Sequence, residues 1–245
     1  MRDTQPPLSL NAWLRLGAVA GLLPDGPADV LEVGCGQGGF AARLARRYTY
    51  VGLEPDPASC AVARRRVGAA GRVLGVRLED LPPGRFDVVC AFEVLEHLQD
   101  DKAAIAAWAD RLRPGGRLLL SVPAYQRRFG PADELVGHFR RYDPPVLRDL
   151  LTGAGLESVE VRHYGMPLGY ALESARNLVA KRRLAAAAER SADERSAASG
   201  RLLQPERPLR GVLHRLASAP FRAAQRLTPG RGPGLVAMAR SRVGA

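Results

Sequence analysis

The segment VLEVGCGQGGF, residues 30–40, limits the possible folds of this chain more than any other part of it. An apolar run at 30–33 is followed by glycines at 34, 36, 38 and 39, and then by a helix-compatible run at 40–47. Glycine permits the positive φ that a tight turn needs and lets a ligand approach the backbone. The segment therefore predicts a strand, a tight ligand-binding turn and a helix.

The nature of that ligand depends on Glu32. Gly34, Gly36 and Gly39 match the dinucleotide pattern G-x-G-x-x-G, and Glu54 follows at the distance expected of such a site. However, a carboxylate directed into the turn would repel a pyrophosphate and would suit a ligand with a cationic end. The acidic residue and the glycine spacing together favour a cationic ligand over a dinucleotide.

The same residues carry a resemblance to a known family. The pattern acid-x-G-x-G-x-G, formed here by Glu32, Gly34, Gly36 and Gly38, resembles the first motif of the class I S-adenosylmethionine-dependent methyltransferases. The resemblance implies that S-adenosylmethionine is the cofactor and that these four residues bind it, with its amino and sulfonium groups as the cationic end.

Composition and length are consistent with one α/β domain carrying an elaboration. The 245 residues are enough for a full core, and the three cysteines lack C-x-x-C spacing and are odd in number, which argues against a disulfide framework. No apolar stretch reaches the ~18–20 residues that span a bilayer. We expect residues 8–22 to form an amphipathic helix with Trp13 packed inward, rather than a signal peptide, and the protein to be cytoplasmic.

Short apolar or β-branched runs alternate with helical patterns along most of the chain, which is typical of parallel βαβ units. The resembled family implies a Rossmann-like, doubly wound, seven-stranded sheet, mostly parallel, in which strand 7 runs antiparallel between strands 5 and 6. A methyltransferase domain would then comprise residues 1–164 and 231–245, with 165–230 as a helical insertion between strands 6 and 7. After the first strand, the predicted strands are 50–54, 72–78, 86–92, 117–122, 156–163 and 234–239; the main predicted helices are 57–67, 100–112, 144–154, 167–190 and 208–227.

Three more acidic residues are candidates for cofactor binding. Glu54 ends strand 2, where the resembled family places an acid that accepts hydrogen bonds from both ribose hydroxyls. After strand 3 the family pairs an acid with the adenine amino group, for which we predict Asp80 rather than Glu79. Glu93, after strand 4, is the last expected cofactor residue.

The segment FDVVCAFEVLEH at 86–97 resembles the family's fourth-strand motif and the loop that follows it. Asp87 is expected to be structural. His97 is expected either to act as base or acceptor-positioning group, or only to fix the loop by hydrogen bonding. Glu93, Glu96 and His97, with His138, also form a conceivable Mg²⁺ or Zn²⁺ site, as in some small-RNA and quinone methyltransferases. Many relatives carry E-x-x-E-H without metal, and we do not predict a metal here.

The segment GHFRRY at 137–142 follows the fifth strand and resembles a stretch found in small-molecule methyltransferases. His138 has the pKa range of a base near neutral pH, and Tyr142 is expected to position an acceptor. The alternative is a surface loop rich in solvated arginines. We predict a site role for the segment, with His138, His97 and Tyr142 as the catalytic group.

Positive charge is concentrated near the end of the chain. Residues 176–245 carry 15 Lys and Arg against 4 Asp and Glu, whereas residues 1–175 are neutral. Within 209–227 leucines interleave with arginines at helical spacing, which indicates an amphipathic helix. Three interpretations remain open: a lid over the acceptor pocket, a contact with an anionic membrane, or RNA binding, which the scarcity of aromatic residues disfavours.

The sequence thus predicts an S-adenosylmethionine-dependent methyltransferase that methylates oxygen on a small or lipid-linked organic acceptor. No nucleic-acid partner is expected, and a peripheral contact with an anionic membrane is one of the open interpretations. Two rival functions remain: a nicotinamide-dependent oxidoreductase and a non-catalytic S-adenosylmethionine-binding partner subunit.

Overall fold

The computed structural model describes residues 6–187, 208–228 and 230–243. Within these ranges the strands are β1 (Asp29–Val33), β2 (Thr49–Leu53), β3 (Arg72–Leu74), β4 (Phe86–Phe92), β5 (Leu112–Pro123), β6 (Glu157–Tyr164) and β7 (Gly234–Arg240). The helices are α1 (Leu10–Val19), α2 (Ala41–Leu44), α3 (Pro57–Val67), α4 (Asp101–Ala109), α5 (Pro131–Val136), α6 (Pro144–Gly153), α7 (Leu168–Ala187) and α8 (Pro208–Ala224).

All seven strands form one sheet, in the order β3-β2-β1-β4-β5-β7-β6. The strands from β3 to β5 pair in parallel, while β7 is antiparallel to both β5 and β6. The predicted Rossmann-like topology is confirmed, including the antiparallel seventh strand. Because the strand order reverses between β1 and β4, a crevice opens at the carboxyl ends of these strands.

The apolar runs of the central strands bury side chains on both faces of the sheet. Val30 and Leu31 are neighbours in β1, both 0% exposed, yet they belong to opposite core layers. One layer lies under α1, α2 and α3; the other lies under α4 and α6 and contains Trp108. A strand covered by helices on both faces has no polar face, so its sequence is apolar without alternation.

Polar side chains fix the starts of the helices and the amino-terminal edge of the sheet. Ser9, Asp56 and Asp100 each accept a hydrogen bond from a backbone N–H in the first turn of α1, α3 and α4. Asp87 accepts from the Asp29 amide at 2.8 Å and from Arg113 at 2.7 Å. Asp87 therefore has the structural role predicted for it.

Two strands differ in length from the prediction. β5 begins at Leu112, and the predicted turn at 114–116 bulges out of it: Phe86 of β4 pairs with Leu112 and Val88 pairs with Arg117, while Gly115 has φ 75°. β3 ends at Leu74 instead of residue 78. Both boundary differences occur where a glycine or a polar loop adjoins the strand. At such a place apolar periodicity does not indicate where the strand begins or ends.

The helices α7 and α8 lie between β6 and β7, as predicted for the insertion. The side chain of Gln225, just after α8, accepts a hydrogen bond from the Gly165 amide at 3.0 Å and donates one to the Leu14 carbonyl at 3.0 Å. Trp13 is 8% exposed and faces inward, as expected for α1. The polar stretch 191–200 lies outside the described residues. No described helix combines the length and apolar character needed to cross a membrane.

Candidate active site

A cavity of about 1530 Å³ opens at the carboxyl ends of the parallel strands. Its floor is formed by the loops that follow β1, β2 and β4, and its other walls come from α1, α4, α5, α7 and α8. Pockets for one small molecule usually measure about 300–1,000 Å³. The cavity therefore has room for two molecules side by side, as a group-transfer reaction requires.

The glycine turn after β1 has the backbone that its sequence predicts. Gly34, Gly36 and Gly38 have φ values of 70°, 53° and 78°. A Cβ at Gly34 would lie 2.6 Å from Val94 Cγ2, and one at Gly38 would lie 2.9 Å from Ala63 Cα. Glycine is required at these two positions by sterics as well as by conformation. Gly34 and Gly36 line the cavity, whereas Gly38 packs the turn against α3.

Glu32 lines the cavity from the end of β1 and is 2% exposed. Its carboxyl group accepts a hydrogen bond from the Tyr50 hydroxyl at 2.6 Å. Burial raises the pKa of Glu32 to about 7, although Tyr50 and Arg15 oppose the rise. A cationic ligand group would stabilise the ionised form, so the side chain is suited to recognise one.

Glu54, at the end of β2, bridges two loops that border the cavity. Its Oε2 accepts a hydrogen bond from the Gly36 amide at 2.8 Å, and its Oε1 accepts from the Asp56 amide at 2.9 Å. Burial raises the pKa of Glu54 while the two amide hydrogen bonds lower it. The amides hold the carboxylate in one orientation and leave each oxygen a second lone pair for a ligand.

The structure places Glu79, and not the predicted Asp80, on the cavity wall. The chain turns here, with the Leu81 amide donating to the Leu78 carbonyl at 3.1 Å, so the side chains of neighbouring residues point in different directions. Both acids are exposed, and a sequence of two adjacent acids does not indicate which one faces the ligand.

Glu93 directly follows β4, lines the cavity and has φ 57°. Its Oε1 accepts hydrogen bonds from the Ser121 hydroxyl at 2.9 Å and the Tyr164 hydroxyl at 3.3 Å, and it lies 4.0 Å from Arg15. Burial opposes ionisation, but Arg15 and the Ser121 hydrogen bond keep the pKa of Glu93 below its ordinary value. Glu93 is therefore a partly buried, ionised carboxylate.

The two predicted histidines lie together on the cavity wall. The rings of His97 and His138 are in edge-to-face contact, with centroids 4.6 Å apart. His138 Nδ1 lies 2.8 Å from Asp133 Oδ1, and Asp133 is also paired with Arg141 at 2.7 Å. Burial lowers the pKa of His97 to about 4, so its imidazole is neutral near pH 7. His138, oriented by a carboxylate, is the better placed of the two to accept a proton.

Glu96 lies beside these histidines and is 0% exposed. Neither of its carboxyl oxygens, nor His97 Nδ1, has a hydrogen-bond partner among the described residues. Glu96, His97 and His138 each offer one ligand atom, and these atoms lie within 4.8 Å of one another. One carboxylate and two imidazoles form a donor set that fits a divalent ion.

Tyr142, predicted to position an acceptor, is in the core instead. It is 1% exposed, and its hydroxyl is 3.1 Å from Asp101 Oδ2 and 3.4 Å from the Leu95 carbonyl. A parallel bridge between Ala124 and Tyr142 fixes the backbone here and sends the side chain under α4. Arg141 is also buried, in ion pairs with Asp133 and Glu173. The predicted loop is therefore an ordered wall, from which His138 and Arg141 line the cavity.

The structure brings three further residues to the cavity that the sequence did not single out. Arg15, in α1, lies 5.6 Å above the Phe40 ring, and its Nε has no hydrogen-bond partner in the described part of the chain. Tyr164 closes β6 beside Glu93. Arg176 projects from α7. Only Tyr164 could have been found from the sequence, because it lies at the carboxyl end of a predicted strand. The two arginines lie in helices, and the sequence does not specify how these helices pack on the rest of the fold.

A family model described as a methyltransferase domain matches residues 10–161. The chain belongs to this methyltransferase family. S-adenosylmethionine is the cofactor of the family, which agrees with the prediction from Glu32 and the glycine turn.

Two curated relatives are named ubiquinone biosynthesis O-methyltransferase. The one from Xanthomonas euvesicatoria pv. vesicatoria is 40% identical over 127 residues, covering 48% of this chain and 52% of the relative. The one from Idiomarina loihiensis is 32% identical over 152 residues, covering 54% of this chain and 63% of the relative. This methyltransferase chain thus matches between about half and two thirds of each relative's length.

A solved structure with a similar fold is the N-methyltransferase NodS from Bradyrhizobium japonicum in complex with S-adenosylhomocysteine. The TM-score is 0.53 at 18% identity, with 95% of this chain and 85% of that chain covered. At this identity the likeness shows the fold of the methyltransferase chain and leaves its acceptor open.

Proposed function

We propose that this protein transfers the methyl group of S-adenosylmethionine to an oxygen atom of a small or lipid-linked organic acceptor. The observation that carries the proposal is one cavity lined both by carboxylates suited to the cofactor and by the His138–Asp133 pair. The similarity to ubiquinone biosynthesis O-methyltransferases supports oxygen as the acceptor atom and a lipid-linked acceptor.

The cofactor is held by its charged and polar groups. Glu32 receives the cationic amino end beside the sulfonium, Glu54 accepts hydrogen bonds from the ribose hydroxyls, and Glu79, in place of Asp80, pairs with the adenine amino group. Gly34 and Gly36 let the backbone approach the cofactor closely. Arg15 binds the cofactor carboxylate, since it is a mostly buried cation of α1 that lines the cavity together with the glycine turn. Glu93, paired with Arg15, completes the cofactor contacts.

Methyl transfer from a sulfonium needs little activation of the leaving group. The protein's task is to hold the acceptor oxygen in line with the methyl group and to remove the hydroxyl proton. His138 accepts that proton at Nε2, because its Nδ1 is directed to Asp133. His97, neutral and in contact with the His138 ring, positions the base.

A divalent ion would be held by Glu96, His97 and His138, the set that fits one. When bound, it would supply Lewis acidity that lowers the pKa of an acceptor hydroxyl. Without one, His97 and His138 still form the polar end of the acceptor pocket, with Glu96 buried behind them.

Calorimetric titration combined with a methyl-transfer assay tests the proposal. We expect S-adenosylhomocysteine to bind and NADH not to bind, and labelled methyl from S-adenosylmethionine to appear in the organic extract of a catechol or lipid-quinol panel. Replacing His138 by Gln should lower the rate by roughly 10²–10⁴-fold while S-adenosylhomocysteine binding is retained. Binding of NADH but not of S-adenosylhomocysteine would show that the protein is a nicotinamide-dependent oxidoreductase. Binding of S-adenosylhomocysteine without methyl transfer to any acceptor would favour the non-catalytic partner subunit.

A contact with an anionic membrane is a second proposal, favoured by the outer surface of α8. Val212, Leu213 and Leu216 are 57%, 64% and 65% exposed, and the described residues of α7 and α8 contain a single acid, Glu173, which is buried in ion pairs. Apolar side chains surrounded by cations are the features of a helix that lies on an anionic bilayer. RNA binding lacks support, because the described surface of these helices offers few aromatic residues.

A further inference from the structure

Helix α7 turns one stripe of side chains toward the cavity. The members recur at intervals of three and four residues, which places them on one face of the helix. Most are apolar, two are arginines and one is an acid. The stripe consists of Leu172, Glu173, Ala175, Arg176, Val179, Ala180 and Arg183.

Arg176 is an arginine of this stripe that makes no direct contact with an acid among the described residues. Its Nε is buried, and no hydrogen bond or ion pair joins its guanidinium to any described residue. The arginines around it differ: Arg141 is paired with Asp133 at 2.7 Å and Glu173 at 3.1 Å, and Arg128 is paired with Glu173 at 2.9 Å. A buried guanidinium N–H left without an acceptor destabilises the free protein, so an acceptor from a ligand is expected there.

The remaining acid on this side of the cavity is already engaged. Glu93 accepts hydrogen bonds from Ser121 and Tyr164 and faces Arg15 at 4.0 Å. Glu93 and Arg176 attract each other electrostatically, but no hydrogen bond or ion pair joins these two described residues. Arg183 adds a second positive charge two turns farther along α7, on the exposed part of the same stripe.

We propose that the methyl acceptor carries an anionic group, a carboxylate or a phosphate, which pairs with Arg176. Its apolar part contacts Leu172, Val179 and Ala180. This inference rests on the proposed methyl transfer and narrows its substrate to anionic amphiphiles. It makes Arg176 a specificity-determining residue in α7, a helix outside the matched methyltransferase domain.

The position of α7 explains how such a contact would orient the acceptor. The Asn177 side chain, next to Arg176, accepts a hydrogen bond from the Ala132 amide of α5 at 3.0 Å. Asp133, the next residue of α5, holds His138. An anion bound at Arg176 is therefore fixed relative to the proposed base by two directly connected helices, which favours a single orientation of the acceptor hydroxyl.

Binding of simple amphiphiles to the protein saturated with S-adenosylhomocysteine tests the inference by calorimetry. The probes are dodecanoate and dodecyl phosphate, compared with dodecanol at concentrations below micelle formation. We expect one or both anionic probes to bind at least about tenfold more tightly than dodecanol, as a charge-assisted contact predicts. R176Q should abolish this preference without changing dodecanol binding, and R176K should retain part of it.

Arg182→Gln is the matched control, because Arg182 is exposed on the same helix and does not line the cavity. It should preserve the preference for the anionic probes. Equal binding of dodecanol and both anions, or a preference that survives R176Q, would overturn the inference. A loss of S-adenosylhomocysteine affinity in R176Q would also overturn it, because Arg176 would then hold the cofactor. If the unmodified protein fails to bind S-adenosylhomocysteine, the proposed function itself is wrong.

Discussion

Glu32 is a buried carboxyl group whose ionisation has opposite effects on folding and on cofactor binding. Burial raises its pKa from 4.5 to about 7. An acid whose pKa is raised by folding contributes stability that is fully present below pH 4.5 and is lost as pH rises through 7. The difference between these two pKa values corresponds to at most about 3 kcal/mol in the free energy of unfolding. The cationic cofactor requires the ionised form, so its affinity should rise over the same pH range.

Replacing Glu32 by Gln should separate these effects. The variant should be more stable than the unmodified protein at pH 8.5 by about 1–3 kcal/mol, with a smaller gain at pH 5.5, because no buried charge forms. Its S-adenosylmethionine affinity should be weaker and no longer rise between pH 6 and 8. Urea unfolding and calorimetry measure both quantities. Glu157→Gln, at an exposed position of β6, should change neither; an unaltered pH dependence in E32Q would contradict the assignment.

Arg15 is predicted to recognise the amino-acid end of the cofactor. Arg15→Gln should weaken S-adenosylhomocysteine binding at least about tenfold, because a charge-assisted hydrogen bond to the carboxylate is lost. Binding of 5′-methylthioadenosine, which lacks that carboxylate, should remain unchanged. Competition calorimetry with the two ligands measures the difference. Equal weakening of both would mean that Arg15 supports the fold of the pocket without contacting the carboxylate. Lys102→Gln, at an exposed position of α4, is the control.

Tyr142 is predicted to stabilise the core without taking part in catalysis. Tyr142→Phe removes the hydroxyl that contacts Asp101 and leaves the ring in place, so unfolding free energy should fall by about 1 kcal/mol while the methyl-transfer rate stays within about twofold. Chemical denaturation and initial rates measure the two effects. A rate loss above tenfold with unchanged stability would restore the acceptor-positioning role.

At the scale of elements, the sequence predicts what local chemistry determines. The strand, turn and helix around Gly34, Gly36 and Gly38 follow from glycine conformation, and apolar periodicity predicts where the strands lie along the chain. The order of the strands in the sheet is implied by the family resemblance. Contacts between distant elements decide the rest. Tyr142 enters the core because its backbone pairs with Ala124, and Glu79 rather than Asp80 faces the cavity because of a turn. The packing of α1 and α7 brings Arg15 and Arg176 to the site, and no local sequence pattern predicts that packing.

The glycine turn and α3 form one packed unit, and a methyl group at Gly38 should disrupt it. Its Cβ would lie 2.9 Å from Ala63 Cα at a φ of 78°. Gly36 also has a positive φ, 53°, but a Cβ there would meet nothing within 4 Å. Both alanine variants carry the backbone strain of about 1–2 kcal/mol, and Gly38→Ala should lose more by displacing α3. Thermal unfolding compares the two; equal losses would refute the packing argument.

At the scale of the whole molecule, positive charge and exposed apolar side chains occur on the same insertion. The sequence predicted the charge, but the outward direction of Val212, Leu213 and Leu216 depends on how α8 packs on α1. His214 of the same helix lines the cavity and hydrogen-bonds to the Leu8 carbonyl at 3.2 Å. The apolar surface therefore borders the cavity, which would let a lipid-linked acceptor enter directly from a bilayer.

The double variant Leu213→Ser/Leu216→Ser tests this membrane contact. The unmodified protein should co-sediment with phosphatidylglycerol vesicles more strongly than with phosphatidylcholine vesicles, and less so at high salt, because salt screens the attraction of the arginines. The double variant should bind phosphatidylglycerol vesicles at least about tenfold more weakly, since each leucine withdrawn from the bilayer loses roughly 1.5–3 kcal/mol. Val146→Ser removes a 51% exposed apolar side chain from α6 and should bind like the unmodified protein. All variants should retain S-adenosylhomocysteine binding, which shows that they are folded. Equal binding to both lipids, or the same loss in Val146→Ser, would mean that this surface of α8 does not face a membrane.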